Sequence, residues 1–404
     1  MGNPFLWLSV QKAPAALRRR KASAPQAYSS RLHRVYLTVL LLGLPLLASC
    51  TGSSEEPTRA LLAAGVNNPS NNTYQIRFFQ SSTLQPGNFD LARRVGSWDL
   101  DGPIVGLLYR RSLQQGANDQ LWVLTPSRLR RFNASNLSVD DVGTPQLDGL
   151  DQALPVDCSR GYLRQGQSNL LLVCPPAPAV PTPPIEAYRA WLIPFTATAL
   201  PDPLDFSNPN LVRLTAPVRL TLGPNDQLLY LTPGQFGQYD FVNPFIERPL
   251  SLSGSSPTDL IFVNGQALGL FDDNDPTTTD TTLVAWNLGA TSEVGLVRDA
   301  NLAARQFARG APPVFVLGTG LARFEGGFQL PRENESGLSR SRRYSTATVG
   351  IDQFLYIADQ DTPTLSVIDL TVNIASALTS AGVRTSSLGS FQERIAGLAF
   401  IPVE

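Results

Sequence analysis

Short runs of apolar residues recur along most of this chain, and their spacing is the feature that most constrains its fold. Each run is bounded by Asp, Asn, Gly or Pro. Continuous apolar runs of this length are typical of β-strands that are buried on both faces. The runs recur about every 49 residues on average, and they are Leu61–Val66, Leu121–Leu124, Leu170–Val173, Leu228–Leu231, Leu260–Val263, Val314–Leu317 and Phe354–Ile357.

A second β-rich segment follows most of these runs, for example Leu129–Phe132, Leu283–Trp286 and Leu365–Leu370. A period of about 40–50 residues with several strands in each unit is the signature of a β-propeller. The sequence therefore predicts an all-β fold, a β-propeller of seven blades. An irregular pair of β-sandwiches or a β-helix is the alternative. Helical patterns are confined to Asn301–Arg309 and Asn373–Ala381.

Two of the units carry a more specific likeness. The first is TVGIDQFLYIAD at residues 348–359, with LSVID at 365–369 and IAGLAF at 395–400. The second is VRLTLGPNDQLLYL at residues 218–231. Both resemble the inner strands of the YVTN/NHL-like β-propellers. Such propellers often complete one blade with strands from both chain ends, so the resemblance implies that Ile395–Val403 pairs with Leu61–Val66.

The N-terminal segment has the layout of an export signal. Its only charged residues are basic, and an apolar run from Val35 to Leu47 follows them. This run is too short to span a bilayer comfortably but matches the apolar region of a signal peptide. The next residues complete Leu47-Ala48-Ser49-Cys50, which resembles the lipobox of bacterial lipoproteins. The resemblance implies that Cys50 is acylated after residues 1–49 are removed; a single-pass anchor is the alternative.

These features predict the organisation of the chain and its location. Residues 1–49 are the predicted lipoprotein signal peptide, residues 50–60 a lipidated flexible tether, and residues 61–404 the propeller domain. We expect the protein on the extracytoplasmic side of a bacterial cell envelope, held in the membrane by the lipid on Cys50. Thr51 replaces the Asp that retains many lipoproteins in the inner membrane, so we expect the outer membrane if the host has one.

Charge and composition argue against several classes of function. Seven of the 32 Lys and Arg residues precede Cys50 and all 33 acidic residues follow it, which leaves the mature chain a net charge of about −8. An acidic body of this kind argues against a nucleic-acid partner. The only histidine, His33, lies in the leader. The mature chain therefore has no imidazole for Ser-His-Asp catalysis or for a His-ligated zinc site.

One acidic segment has residues suited to a cation. Oxygen ligands lie within nine residues of one another, as a Ca²⁺ loop requires, and they belong to Asp272, Asp273, Asn274, Asp275 and Asp280. The segment lacks the Gly and the terminal Glu of an EF-hand, so a solvated acidic turn is the alternative. No other cofactor is predicted.

A basic segment has residues suited to an anion. Arg340, Arg342 and Arg343 lie in a Ser-rich stretch. The guanidinium fork fits phosphate and carboxylate, so these residues are candidates for an anion contact. A solvated loop without a ligand is the alternative.

A disulfide is predicted between Cys158 and Cys174, the only thiols that remain once Cys50 carries lipid. Export places both in an oxidising compartment. Their midpoint is Gly166, in a turn-like stretch. A hairpin with a loop centred on Gly166 would place the two cysteines directly opposite each other, at a distance that a disulfide accepts. Two free buried thiols are the alternative.

Two classes of function are consistent with this sequence. One is a non-catalytic binding or scaffold protein of the envelope, with a protein, peptide or glycan partner. The other is an enzyme, since propellers of similar build include lactonases, other hydrolases and quinoproteins. The missing imidazole favours the binding protein over the enzyme.

The lipid anchor can be tested with Cys50→Ala. We expect the variant to be unacylated and to leave the membrane fraction, because the lipid on Cys50 is the predicted membrane attachment. Carbonate-washed membranes, probed by immunoblot, provide the measurement. A variant that stays in the washed membranes at the wild-type level would contradict the predicted anchor.

Overall fold

β-Strands dominate the part of the chain that the computed structural model describes. That part comprises residues 60–84, 94–113, 116–176, 188–205, 218–239, 246–250, 255–272, 281–288, 295–299, 305–308, 314–318, 320–324, 343–370, 383–387 and 392–403. Its helical elements are two single 3₁₀ turns, Ser81–Thr83 and Pro224–Asp226. No helix in these residues has the length and apolar character needed to cross a membrane.

The strands of the described residues form seven antiparallel sheets, which we number in chain order. Sheet 1 contains β1 (Ala60–Asn68), β2 (Thr73–Gln80), β3 (Arg94–Leu100) and, from the far end of the chain, β26 (Arg394–Pro402). Sheet 2 contains β4 (Gly106–Arg110), β5 (Gln120–Leu124), β6 (Arg128–Asn133) and β7 (Leu147–Ala153). Sheet 3 contains β8 (Tyr162–Gln165), β9 (Asn169–Cys174) and β10 (Arg189–Pro194).

The other four sheets follow the same order along the chain. Sheet 4 contains β11 (Arg219–Leu222), β12 (Leu228–Leu231), β13 (Gln235–Tyr239) and β14 (Ile246–Pro249). Sheet 5 contains β15 (Ser256–Val263), β16 (Gln266–Asp272), β17 (Thr281–Asn287) and β18 (Gly295–Asp299). Sheet 6 contains β19 (Gln306–Phe307), β20 (Val314–Gly318) and β21 (Gly320–Phe324). Sheet 7 contains β22 (Tyr344–Val349), β23 (Phe354–Asp359), β24 (Thr364–Asp369) and β25 (Val383–Ser387).

The second strand of a sheet is buried on both faces because it lies between two neighbouring sheets. In β9, Leu170 and Leu172 share an apolar cluster with Trp122 of sheet 2. Leu171 shares a different cluster with Tyr230 of sheet 4. Successive residues of a strand point to opposite faces, so only a continuous apolar run can fill both clusters. Clusters of this kind join each described sheet to the next, and one joins sheet 7 to sheet 1.

Six of the predicted apolar runs lie in these second strands, and the seventh forms a strand, as predicted, but is not buried on both faces. Leu260–Val263 lies in β15, the first strand of sheet 5, and the second strand is β16. Gly269 interrupts the apolar run of β16. A Cβ at this position would come within 2.6 Å of Leu231 and 3.0 Å of Trp286, so close packing between sheets 4 and 5 requires glycine.

The two predicted helices have different outcomes. Within residues 301–309, Gln306 and Phe307 form the short strand β19, so a helix there was wrong. Phe307 is buried against Val314 and Val316 and contributes to the core between sheets 5 and 6. The strand β19 places its side chain in that core. Residues 373–381 lie outside the described residues.

The first strands of neighbouring sheets lie against one another. β4 contacts β26 and β8, β11 contacts β8 and β15, and β15 contacts β19. Between sheets 6 and 7 the contact involves a second strand: β20 of sheet 6 contacts β22, which in turn contacts β26. As the resemblance implied, β26 pairs with β1 in antiparallel register, with Leu62 opposite Phe400. The end of the chain thus supplies the first strand of the first sheet.

Hydrogen bonds near the starts of the first strands also join neighbouring sheets. The Leu220 amide of β11 donates to the Tyr162 hydroxyl oxygen of β8 over 3.0 Å. The Ser345 hydroxyl of β22 donates to the Ile395 carbonyl of β26 over 3.3 Å. These bonds satisfy polar groups at the junctions between neighbouring sheets.

The predicted disulfide is present between Cys158 and Cys174, whose Cα atoms are 4.8 Å apart. The strand register differs from the predicted one, because Gln165 pairs with Leu170 and the turn therefore follows Gly166. Cys158 lies in the loop before β8. It reaches Cys174 from that loop and not from an opposed strand position.

An aspartate of sheet 4 determines where this turn lies. The Asp226 carboxylate accepts hydrogen bonds from the Gln167 amide (2.6 Å), the Ser168 amide (2.8 Å) and Asn169 Nδ2 (2.8 Å). A Cβ on Gly166 would collide with the same carboxylate. Sheet 4 therefore fixes the hairpin of sheet 3 through a contact that local turn patterns do not reveal.

A buried ion pair joins β2 of sheet 1 to the residue before β26. Arg77 of β2 donates to Glu393, the residue before β26, through Nη1 to Oε2 (2.9 Å) and Nη2 to Oε1 (2.5 Å). Their side chains are 11% and 9% exposed. The bidentate geometry fixes the approach of β26 to sheet 1.

Removal of the Glu393 carboxylate is expected to weaken this closure. Glu393→Ala should lower the free energy of unfolding by about 3–5 kcal/mol, because the buried Arg77 charge loses its carboxylate. The double variant Arg77→Met/Glu393→Leu should recover most of the loss. Urea unfolding measures the stability of both variants. A loss below about 1 kcal/mol, as for an exposed pair, would contradict a closing role.

Candidate functional site

The first strands of the sheets converge on a cavity of about 470 Å³. Every sheet contributes to its wall. The lining stretches are Leu107–Tyr109, Leu163–Gln165, Thr221–Leu222, Ile261–Val263, Ala308 with Val314, Thr348–Val349 with Ile351, and Leu398–Phe400 with Pro402. The cavity exists only because the sheets meet, so no single sheet provides it.

The wall of this cavity is mostly apolar. Leu222, Phe262, Val349 and Phe400 are typical of its lining, and Arg164 is the only charged residue among the described residues that form it. Ile351, also in the wall, is 61% exposed. A volume of this size suits a small molecule or a few side chains. The cavity can accept an apolar group, and Arg164 offers one charged contact to a ligand.

Arg164 is held by an ion pair that spans sheet 4. Its Nη2 donates to Asp259 Oδ1, which links β8 of sheet 3 to β15 of sheet 5. The same carboxylate accepts hydrogen bonds from the Leu260 amide and the Phe307 amide, each over 2.8 Å. The side chains of Arg164 and Asp259 are 14% and 5% exposed. Asp259 therefore joins three sheets, and its negative charge is distributed over three donors.

A second arginine lies in the same region. Arg219 of β11 donates through Nε to the Thr258 carbonyl over 2.6 Å. The Arg164 guanidinium carbon lies 4.9 Å from the centre of the Tyr162 ring. Burial raises the pKa of Tyr162, and the charges of Arg219 and Arg164 oppose that rise. Tyr162 stays neutral at physiological pH, and the cluster of Arg164, Arg219 and Asp259 carries one excess positive charge.

Asp352 follows the cavity residue Ile351. Its carboxylate accepts hydrogen bonds from the Tyr356 hydroxyl (2.7 Å) and the Phe354 amide (3.2 Å). Burial raises the pKa of Asp352, and these hydrogen bonds act in the opposite direction. Burial also raises the pKa of Tyr356, with a further contribution from the Asp352 charge. Tyr356 therefore keeps its proton at neutral pH and donates it in the hydrogen bond to Asp352.

The residues predicted for a Ca²⁺ site are described only in part. Asp272 is the last residue of β16, opposite Ser256 and Thr281 in the sheet register. Asp273, Asn274, Asp275 and Asp280 lie outside the described residues. Within the described ranges, no group of three or more His, Cys, Asp or Glu side chains is placed to hold a metal ion. The Ca²⁺ loop stays a prediction.

The residues predicted for an anion contact and for lipidation are also outside the described residues, apart from Arg343. Arg343 Nη2 lies 3.4 Å from Asp361 Oδ2, with both side chains more than half exposed. Arg340, Arg342 and Cys50 are not described. The anion contact and the lipid anchor stay predictions.

Sequence reasoning missed Arg164 and Asp259. The sequence did indicate that both residues could be buried, because Asp259 directly precedes the apolar run Leu260–Val263 and Arg164 directly follows Leu163 in a strand. Charged residues at such positions are seldom buried unless they are paired. The sequence offers no means of pairing two residues that lie 95 positions apart.

Comparison with known proteins shows the fold. No family model matches the chain, and no curated protein matches it. A functionally unknown protein from Desulfotomaculum acetoxidans is 10% identical, with a TM-score of 0.53 over 86% of this chain and 100% of that chain. A protein from Lactobacillus plantarum is 12% identical, with a TM-score of 0.52 over 86% and 100%.

A third solved structure is the β-propeller domain of Myceliophteria thermophila Cps50 (Swd1). It is 10% identical, with a TM-score of 0.48 over 71% of this chain and 86% of that chain. The order of the sheets, the contacts between their first strands and the cavity where they converge place this chain in the class of β-propeller-like proteins.

Stability should depend on pH through Asp352. Its folded pKa lies above the ordinary value of 3.8, so the stability it contributes is present below about pH 4 and lost as the pH rises through the folded pKa. Asp352→Asn removes this loss. We expect the melting temperature of the variant to rise relative to wild type between about pH 4 and pH 7, measured by differential scanning calorimetry.

Asp101→Asn is the matched control with the opposite sign. The hydrogen bond from Arg130 lowers the pKa of Asp101 below 3.8, so its contribution is present above about pH 4 and lost on acidification through the folded pKa. The melting temperature of this variant should therefore fall relative to that of the wild type as the pH rises from about 2.5 to about 5. If the melting temperatures of the two variants changed with pH in the same direction relative to wild type, the opposite pKa shifts of Asp352 and Asp101 would be contradicted.

Proposed function

We propose that this chain is a lipid-anchored binding protein of the bacterial cell envelope, in which the seven sheets are the blades of a closed seven-bladed β-propeller. The proposal includes a non-catalytic role: the central cavity receives an apolar group of a protein or peptide partner. The observation that carries the proposal is the composition of the cavity wall, to which every sheet contributes and which is mostly apolar.

The apolar wall supports a protein or peptide partner over a glycan. Hydroxyl groups that enter an apolar cavity lose hydrogen bonds to water and find few replacements there. Leu222, Phe262 and Val349 offer no side-chain hydrogen bond. Apolar side chains gain about 25 cal/mol for each Å² that they bury, so they are the groups that such a wall retains.

The charged groups near the cavity support binding over catalysis. Arg164, the charged residue among the described lining residues, has a guanidinium that offers donors and no acceptor, so it does not suit a general base. Both oxygens of the Asp259 carboxylate already accept hydrogen bonds, from Arg164 and two backbone amides. The mature sequence also has no histidine.

The envelope location is supported by the lipobox-like sequence that ends at Cys50.

The binding site can be tested with Ile351→Asp. Ile351 lines the cavity and is 61% exposed, so the substitution places a charge in the wall with little effect on the core. Wild-type and variant chains are crosslinked in membranes of the source organism, and captured proteins are quantified by mass spectrometry. We expect the variant to capture at least tenfold less of the main wild-type partner, which corresponds to about 1.4 kcal/mol of binding free energy.

Leu113→Asp is the matched control. Leu113 is 86% exposed and does not line the cavity, so its replacement introduces the same charge on the same kind of side chain elsewhere. Capture should match the wild type. Equal capture by the wild type, Ile351→Asp and Leu113→Asp would show that the cavity is not the binding site.

A further inference from the structure

We propose that the cavity recognises a carboxylate carried on an apolar body, and that Arg164 binds this carboxylate. The inference rests on the proposed binding function, because it names the chemistry of the ligand for the same cavity. It concerns one residue, the only charged one among the described residues of the wall.

The first argument is the balance of charge. Arg164 and Arg219 supply two positive charges, and Asp259 supplies one negative charge. Arg219 donates to the carbonyls of Thr258 and Val218, which do not neutralise it. One excess positive charge thus lies beside an apolar cavity, where low polarity strengthens its attraction for an anion.

The second argument is the donor capacity that Arg164 retains. A guanidinium has five N–H donors in a planar fork. Nη2 donates to Asp259, and the contact of Nη1 with the Leu163 carbonyl is long, at 3.5 Å. Nε is buried without a hydrogen-bond partner. Nη1 and Nη2 each carry two N–H groups and have one protein acceptor each, so they keep donors for a second acceptor. A carboxylate can accept two N–H groups of an arginine at once.

The third argument is the rest of the wall. The volume of about 470 Å³ suits a ligand of small-molecule size. Apart from Arg164 the described wall is neutral, and its polar side chains are those of Tyr109, Gln165, Thr221 and Thr348, so a second charged group of a ligand would find no charged partner. The ligand is thus a monoanion with an apolar body. A free fatty acid and a peptide with an apolar C-terminal residue share this chemistry.

Two matched pairs of probes test the inference by calorimetric titration of the mature chain. The first pair is decanoate and decanol; the second is a peptide that ends in Leu-Leu with a free carboxylate and the same peptide amidated. We expect at least tenfold tighter binding of the carboxylate in at least one pair. Selective binding of decanoate assigns a free acid, and selective binding of the peptide acid assigns a C-terminus.

Two variants identify the residue responsible. Arg164→Gln should weaken binding of the carboxylate probe at least tenfold and leave binding of decanol unchanged. Asp259→Asn removes the competing carboxylate and should strengthen binding of the acid probe. Thermal unfolding checks that each variant is folded, and the opposite sign of the Asp259→Asn effect tests the inference if Arg164→Gln does not fold.

The outcomes separate this inference from the proposed function. Equal binding of acids and neutral analogues, no binding of either acid, or acid binding that neither variant changes would overturn the role of Arg164. If partner capture still depends on Ile351 in that case, the binding function stands and the carboxylate inference fails. If decanoate binding depends on Arg164 but no partner is captured, the protein-partner proposal fails instead.

Discussion

The burial of apolar side chains between neighbouring sheets is the interaction on which the rest of this structure depends. No sheet can bury both faces of its second strand by itself, so each needs a sheet on either side. Each buried Leu, Val, Ile or Phe contributes about 1.5–3 kcal/mol relative to exposure. The cluster between sheets 7 and 1 imposes the same requirement on the two chain ends, which explains why β26 pairs with β1.

Polar interactions determine how the packed sheets are aligned. Asp226 reaches from sheet 4 to the hairpin of sheet 3, and Asp259 joins sheets 3, 5 and 6. Arg77 and Glu393 fix the last strand against the first sheet. In each case a carboxylate satisfies several donors at a junction where apolar packing leaves polar groups to be paired. Apolar burial supplies most of the stability, and these groups select one arrangement.

The same geometry produces the candidate site. Because the first strands meet around a cavity, side chains from every sheet share one wall. Most of the residues that line it are apolar, and the pair of Arg164 and Asp259 introduces charge at a single place. A buried ion pair is weak support for stability, since desolvation offsets much of the attraction between the charges. Its place beside an apolar cavity is what favours a role in recognition.

The sequence by itself determined the strand-rich architecture, the approximate repeat, the disulfide partners and the return of the chain end to the first sheet. These follow from local apolar patterns, from the number of thiols and from one family resemblance. Only the tertiary structure decided that β16 is a second strand, where the turn after Gly166 lies, and that Arg164 meets Asp259. The physical reason is that close packing at Gly269, capping by Asp226 and charge pairing across sheet 4 depend on neighbours distant in sequence. Periodicity specifies which faces are buried, but not which residues meet.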